Sequence, residues 1–273
     1  HAPAAVQSAW LPRVASGEAL LVLAQQERRA RYRLDVCDTQ ASASGAGHAL
    51  SGAKSLVAAG DLADAFIVAA RLDGRIALFL VQRAAAGVSA QGYATQDGSR
   101  AAEVRFSDAP ATLLTRDGLA ALEQAVDTGI AAACAEAVGV MDRTLAITIE
   151  YLRQRQQFGV PIASFQALRH RVADMKMQLE LARSMSYYAS LKLDAPAAQR
   201  RAAMARAKVQ LGQSMRFVGQ QAVQLHGGIG VADEYIVSHY FKKLTQLEMV
   251  FGDTQHHLGE LSGRMQETAG VFA

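Results

Sequence analysis

The chain has 273 residues, 51% of them apolar, which is enough to bury the core of one large domain or two ordinary ones. Its formal charge is only +3, its basic and acidic side chains are interspersed, and aromatics make up 6%, so neither a cationic stripe nor a stacking surface for nucleic acid is present. No apolar stretch reaches membrane length and the opening HAPAAVQSAWLPRV lacks the apolar middle of a secretory signal, so no membrane partner is expected and the expected compartment is the cytoplasm.

From Ala19 to about Leu114 the chain reads as short β-rich runs, among them ALLVLA, AFIVAAR, RIALFLVQ and AAEVRFS. The segments SGAG, AAGD, LDGR and QDGS separate them as turns, which predicts an antiparallel sheet or small barrel over residues 19–115. Cys37 falls in a segment read as strand and Cys134 in one read as helix, so both are expected to be reduced core thiols. Beyond Asp117 the period becomes helical. Leu122, Val126, Ile130, Met141, Leu145, Ile149 and Leu152 mark one apolar face, and Phe165, Leu168, Val172, Met175, Leu179, Ala182 and Met185 mark another. Breaks at FGVP, DAP and HGGIG divide residues 116–268 into four long helices, as in an antiparallel four-helix bundle.

Three stretches carry polar residues that suit chemistry. QLHGGIG, Gln224 to Gly230, is either a helix C-cap with its turn or bare backbone that lets a nucleotide's sugar and phosphate come close; it has no Walker or Rossmann spacing. Arg153 and Arg155 precede a proline-containing turn, where cations complement a helix dipole or bind phosphate. VFGDTQHH, Val250 to His257, gathers Asp253, His256 and His257. Adjacent histidines on a helix lie about a hundred degrees apart, poor geometry for one ion, so no metal centre is expected. His170 is expected to be half-exposed, and His239 to open the last helix.

YLRQRQQFGVPIASFQALRHRVADMKMQLELAR and QLHGGIGVADEY, together with SGAKSLVAAGDLADAFIVAAR, resemble signature regions of the acyl-CoA dehydrogenase family. The likeness is closer to small subunits such as that of pimeloyl-CoA dehydrogenase, in FQALRHRVADM and FGDTQHH. It implies an α+β fold, a middle β-domain followed by the C-terminal bundle. Residues 1–18, with WLPRVASGE, resemble the exit of that family's N-terminal helical domain, which is otherwise expected to be missing here.

The resemblance implies FAD as cofactor and an acyl-CoA thioester as substrate, with a carboxylate removing the α-proton while hydride passes to flavin. The usual glutamate position is Gly252 and the second family location is Gly129; Asp253 is the candidate substitute. Asp127 keeps the first residue of an Asp-x-x-Arg pair that approaches the thioester ligand, while Ile130 replaces the arginine. The loop Ala24 to Tyr32 and the trio Leu56, Val57, Ala58 depart from the family's flavin-ring contacts. Arg155, Phe158, Gln166, Gln224, Gly227, Gly228 and Thr254 match its cofactor-binding positions. In that family the bundle reaches across a subunit interface to a neighbour's FAD. A chain that keeps those residues and lacks the base is therefore expected to be the small subunit beside a large catalytic subunit. The alternatives are a self-sufficient homotetramer with Asp253 as base, and a cofactor-free assembly scaffold.

Overall fold

The computed structural model describes residues 1–45 and 47–269, with side chains to Met265; Ala46, inside the expected SGAG turn, lies outside them. The chain divides into two compact units, residues 1–125 and 126–273.

In the first unit a helix, α1 (Ala4–Ala15), precedes seven strands: β1 (Leu21–Ala24), β2 (Gln40–Ser44), β3 (Gly47–Ala58), β4 (Ala65–Leu72), β5 (Arg75–Gln82), β6 (Val88–Ala94) and β7 (Arg100–Thr115). Strands β4, β2, β3, β7 and β5 form a ring that closes because β5 also pairs with β4, while β1 and β6 are appended to β4 and β7. The barrel is antiparallel except at β4, where β1 and the single Gln40–Arg71 pair of β2 run parallel. The cause is connectivity: β2 and β3 intervene between β1 and β4, so no hairpin imposes the antiparallel direction. Strands β4 and β5 are apolar on both faces and almost wholly buried. Asp73 and Gly74 join them with φ of 50° and 79°, as a two-residue turn with positive φ at both positions requires. Phe66 and Phe79 fill the barrel, Phe66 meeting Phe106 edge-on at 6.2 Å.

The loop of residues 25–39 buries Glu27, Ala30, Cys37 and Thr39. Its Glu27 accepts hydrogen bonds from Asp38 N (2.6 Å), Thr39 N (3.0 Å), Thr39 Oγ1 (2.7 Å) and Nζ of the fully buried Lys54 (2.6 Å). Burial pushes the Glu27 carboxyl up, but the Lys54 bond and charge with the loop bonds outweigh it and hold the group at about 2. Cys37 sits in this loop, not in a strand; both cysteines are buried and free.

In the second unit the helices follow their apolar stripes. Helix α2 (Gly118–Gln154) buries Leu122, Val126, Ile130, Met141, Leu145 and Leu152, and α3 (Gln166–Leu191) buries Met175, Leu179 and Ala182. Between them β8 (Gln156–Gln157) and β9 (Val160–Pro161) form a small hairpin. Helix α4 (Ala197–His226) packs against α3, and the expected fourth helix is two: α5 (Ile236–Met249) and α6 (Thr254–Ala269). The break falls at Phe251 and Gly252, whose φ values of 57° and 113° lie outside any helix. His170 is exposed rather than half-exposed, and His239 lies within α5. Among the described residues no helix is long and apolar enough to cross a membrane.

Replacing Lys54 with methionine leaves Glu27 buried without its cation and is expected to cost about 3–5 kcal/mol, read by urea denaturation. Because the folded value of Glu27 lies below its ordinary 4.5, its contribution is full above about 4.5 and falls away as pH drops toward about 2. Glu27→Gln is expected to flatten that part of the stability–pH curve.

Candidate functional site

Two polar clusters occupy the second unit. The first forms where α2 and α4 end. Tyr151 stacks on His226 with ring centroids 4.4 Å apart and donates its hydroxyl to the His226 carbonyl at 3.2 Å; Tyr235 stands 5.3 Å from the same imidazole. The His226 Nδ1 lies 2.8 Å from the Ala222 carbonyl, which can only accept, so Nδ1 carries the proton and the buried Nε2 is left without a hydrogen-bond partner. Burial lowers the affinity of this ring for a second proton more than the carbonyl bond raises it.

Beyond His226 the backbone turns through Gly227 at φ 66°, ψ −143°, a conformation that needs glycine. A methyl built on Gly227 or Gly228 would meet nothing within 4 Å, so bare backbone faces open space there. Gln224 on the last turn of α4 is exposed as well.

At the neighbouring end of α2, Arg155 N donates to Tyr151 O at 2.8 Å, and the β8–β9 hairpin follows. Its tip is Phe158, 90% exposed at φ 54°, with Phe165 edge-on at 5.9 Å. Gln166 opens α3 and is exposed. A bulky aromatic in left-handed conformation with almost no burial contributes nothing to the unit's own core. An open cleft of about 310 Å³ is lined by Ile149, Leu152, Arg153, Ala163, Arg169 and Val172. The sequence-predicted residues Arg155, Phe158, Gln166, Gln224, Gly227 and Gly228 thus belong to joined helix ends, linked by the Tyr151–His226 contact, and all are exposed. Bare glycine backbone, a guanidinium and an exposed aromatic make a donor-rich, apolar surface that fits a dinucleotide such as FAD.

The second cluster surrounds the α5–α6 turn. Lys208, 1% exposed, donates from Nζ to the carbonyls of Leu247 (2.9 Å), Glu248 (3.0 Å) and Val250 (2.8 Å), capping the end of α5. Burial pushes its ammonium down to about 8. Asp253 does not project from a helix: its Oδ1 accepts from His256 N at 2.8 Å, the N-cap bond of α6. Thr254 gives both its amide (3.0 Å) and its hydroxyl (2.7 Å) to Glu248 Oε1.

The two glycines at the implied base positions are occupied in space by aromatic rings. A methyl on Gly252 would lie 2.6 Å from His257 Nε2 and 2.7 Å from His256 Cδ2, and one on Gly129 would lie 2.6 Å from Phe251 Cε2. Neither position admits a side chain unless those rings move. His257 is buried and its Nε2 lies 3.1 Å from the Phe251 carbonyl; burial first, then the charges of Lys208 and His256, push its imidazole down to about 3.

Asp127 is 1% exposed and already paired: Arg200 Nε donates to Oδ2 at 2.8 Å, and Arg201 Nη1 stands 3.6 Å from Oδ1. Burial raises its carboxyl despite both arginines. Its cations come from α4 rather than from position 130 of its own helix, where Ile130 is buried. Sequence reasoning overlooked Lys208, although a lone lysine inside the stripe Met204, Lys208, Leu211, Met215 is itself a signal. It also overlooked Glu248 and His226.

Residues 116–266 match the model of the family described as Acyl-CoA dehydrogenase, C-terminal domain. FadE27 of Mycobacterium tuberculosis, an acyl-CoA dehydrogenase, is 28% identical over 96% of this chain and 71% of its own length. IpdE2 of the same organism, also an acyl-CoA dehydrogenase, is 33% identical over 67% of this chain, which spans about half of it (52%). The ChsE4-ChsE5 complex from Mycobacterium tuberculosis contains a chain of the same fold, with a TM-score of 0.84 and 27% identity over 93% of this chain and 68% of that one. The β-barrel unit with its helical C-terminal unit is the acyl-CoA dehydrogenase architecture, and the protein belongs to the acyl-CoA dehydrogenase family.

Replacing Lys208 with methionine is expected to destabilise the chain by about 1–3 kcal/mol for each carbonyl that stays unpaired, measured by urea denaturation. A loss below about 1 kcal/mol would mean that water reaches these carbonyls and that the cap is dispensable.

Proposed function

We propose that this chain is the supporting small subunit of a heteromeric acyl-CoA dehydrogenase, completing the FAD site of a larger catalytic subunit and doing no proton abstraction itself. The observation that carries this reading is the filling of both implied base positions, Gly252 by the His256 and His257 rings and Gly129 by Phe251. Further support comes from Asp253, whose carboxylate is spent on the α6 N-terminus. In the barrel, Glu27 of the loop implied to contact a flavin ring is turned into the buried Lys54, and Leu56 stands 54% exposed with nothing to donate. The similarity to a chain of the ChsE4-ChsE5 complex also favours a two-chain assembly.

FAD bound in the partner supplies the hydride acceptor for α,β-dehydrogenation of an acyl-CoA thioester. This chain's residues bind and orient. Arg155 would give positive charge for the pyrophosphate; Gln224 with the amides of Gly227 and Gly228 would offer donors that no side chain obstructs; Phe158 and Gln166 would add an exposed aromatic face and a further polar contact. Thr254, expected among these residues, has its amide and hydroxyl engaged by Glu248 and is omitted. Asp127 is held by Arg200 and serves the bundle rather than a thioester. The self-sufficient alternative requires Asp253 to leave its cap, and the scaffold alternative gives the exposed Phe158 and bare glycines no task.

The test is flavin content in the purified pair after co-expression with the larger subunit. A hydrogen bond to a charged group contributes about 1.5–3 kcal/mol, so Arg155→Ala in this chain is expected to weaken FAD binding roughly 10–100-fold, with Gln224→Ala lowering retention in the same direction. Unchanged FAD affinity in both variants contradicts the proposal, as does a pair that carries no flavin.

A further inference from the structure

The rings that fill the Gly252 position also bring together a donor set that the function above does not use. We propose that His256, His257 and Glu260 form a binding site for a divalent cation of the zinc class on the first two turns of α6.

The three side chains offer ligand atoms that all lie within 4.8 Å of one another. His256 Nε2 is 3.5 Å from Glu260 Oε1, and His257 Nδ1 is 3.9 Å from Glu260 Oε2. Tetrahedral zinc with bonds of about 2.0–2.1 Å separates its ligand atoms by about 3.4 Å; the two edges to Glu260, one from each carboxylate oxygen, lie near that value, and the wider spacing of up to 4.8 Å closes by rotation of the partly exposed His256 and Glu260 side chains. Adjacency does not separate the histidines, because the two imidazoles tilt together, centroids 5.0 Å apart and 74° between their planes.

His257 supplies the independent observation. It is 3% exposed, and its Nδ1 has no hydrogen-bond partner. Its Nε2 faces the Phe251 carbonyl at 3.1 Å. A carbonyl accepts only, so Nε2 holds the proton and Nδ1 presents a lone pair toward Glu260, the tautomer and orientation that a backbone carbonyl imposes on metal-binding histidines. A buried lone pair without a donor costs free energy, and a cation satisfies it.

The surrounding charges shape the affinity. Arg201 Nη2 is 3.3 Å from Glu260, and Lys208 is close enough to act on His257. Arg201 has an alternative carboxylate at hand: its Nη1 and Asp127 Oδ1 are 3.6 Å apart, both buried, and both without a hydrogen-bond partner. When Glu260 turns to the ion, Arg201 closes on Asp127 and no charge is stranded. Two imidazoles with a single carboxylate in a cationic setting favour zinc, cobalt(II) or nickel over magnesium or calcium, which need more oxygen donors. Such an ion would fasten the rings over Gly252.

The test uses the untagged full-length chain, freed of metal with a chelator and titrated with zinc by calorimetry, then with cobalt(II) by visible absorption. Binding of a single equivalent is expected, with ligand-field bands of a nitrogen- and oxygen-bound cobalt ion. Glu260→Gln and His256→Gln are each expected to weaken binding at least about tenfold, since even indirect supports of a metal ligand are worth that much. Glu260 is partly exposed, so its variant folds, as a thermal melt without metal will show. No stoichiometric uptake, or equal affinity in the parent and both variants, would overturn the site. Neither result bears on FAD, whose retention in the pair is measured separately.

Discussion

One buried ammonium governs the part of the molecule where a catalytic group is expected. A helix end leaves carbonyls unpaired and carries partial negative charge; Lys208 satisfies three of them at the end of α5. With those carbonyls held, the chain reverses at once, through Phe251 and Gly252 in left-handed backbone, and restarts on the Asp253 cap. That reversal puts the Phe251 ring against Gly129 and the histidine rings over Gly252. The space beside Gly129 and Gly252, where the family resemblance implies a carboxylate, is therefore packed shut by the same turn that Lys208 anchors.

The other end of the helices has the opposite character. Around the α5–α6 turn polar groups are inward and engaged, Asp127 with Arg200, Thr254 with Glu248, Asp253 with the backbone. At the ends of α2 and α4, Arg155, Phe158, Gln224 and the paired glycines are exposed beside the Tyr151–His226 ring stack. An exposed aromatic in a strained conformation and unobstructed amides cost a lone subunit stability without return. In the function proposed for this chain, a cofactor held by another chain covers them.

Much of the architecture was legible because it rests on period and turn chemistry. The α2 stripe from Leu122 to Leu152 and the buried runs of β4 and β5 appear where their patterns place them. The parallel pairing of β1 was not legible, since strand direction there depends on which distant strand takes the edge. Nor was the break between α5 and α6: Asp253 and Thr254 read as site residues, whereas Asp253 is a helix start of the ordinary Asp-cap kind and Thr254 opens the helix behind it. The motif alone marks Arg155 and Gln224 as candidates, and both are exposed. Glu248 and His226 carry no such mark, because their roles come from contacts made across helices, and Lys208 shows only as a lone cation within an apolar stripe. Ideal helical spacing sets the two histidines about a hundred degrees apart, and it does not specify the ring tilt that brings their centroids to 5.0 Å.

The most direct measurement of the central claim is single-chain turnover. The purified chain, reconstituted with excess FAD and given an acyl-CoA under anaerobic conditions with an electron acceptor, is predicted to form no enoyl-CoA, while the same mixture with the larger subunit does. Enoyl product from this chain alone, abolished by Asp253→Asn, would contradict the account.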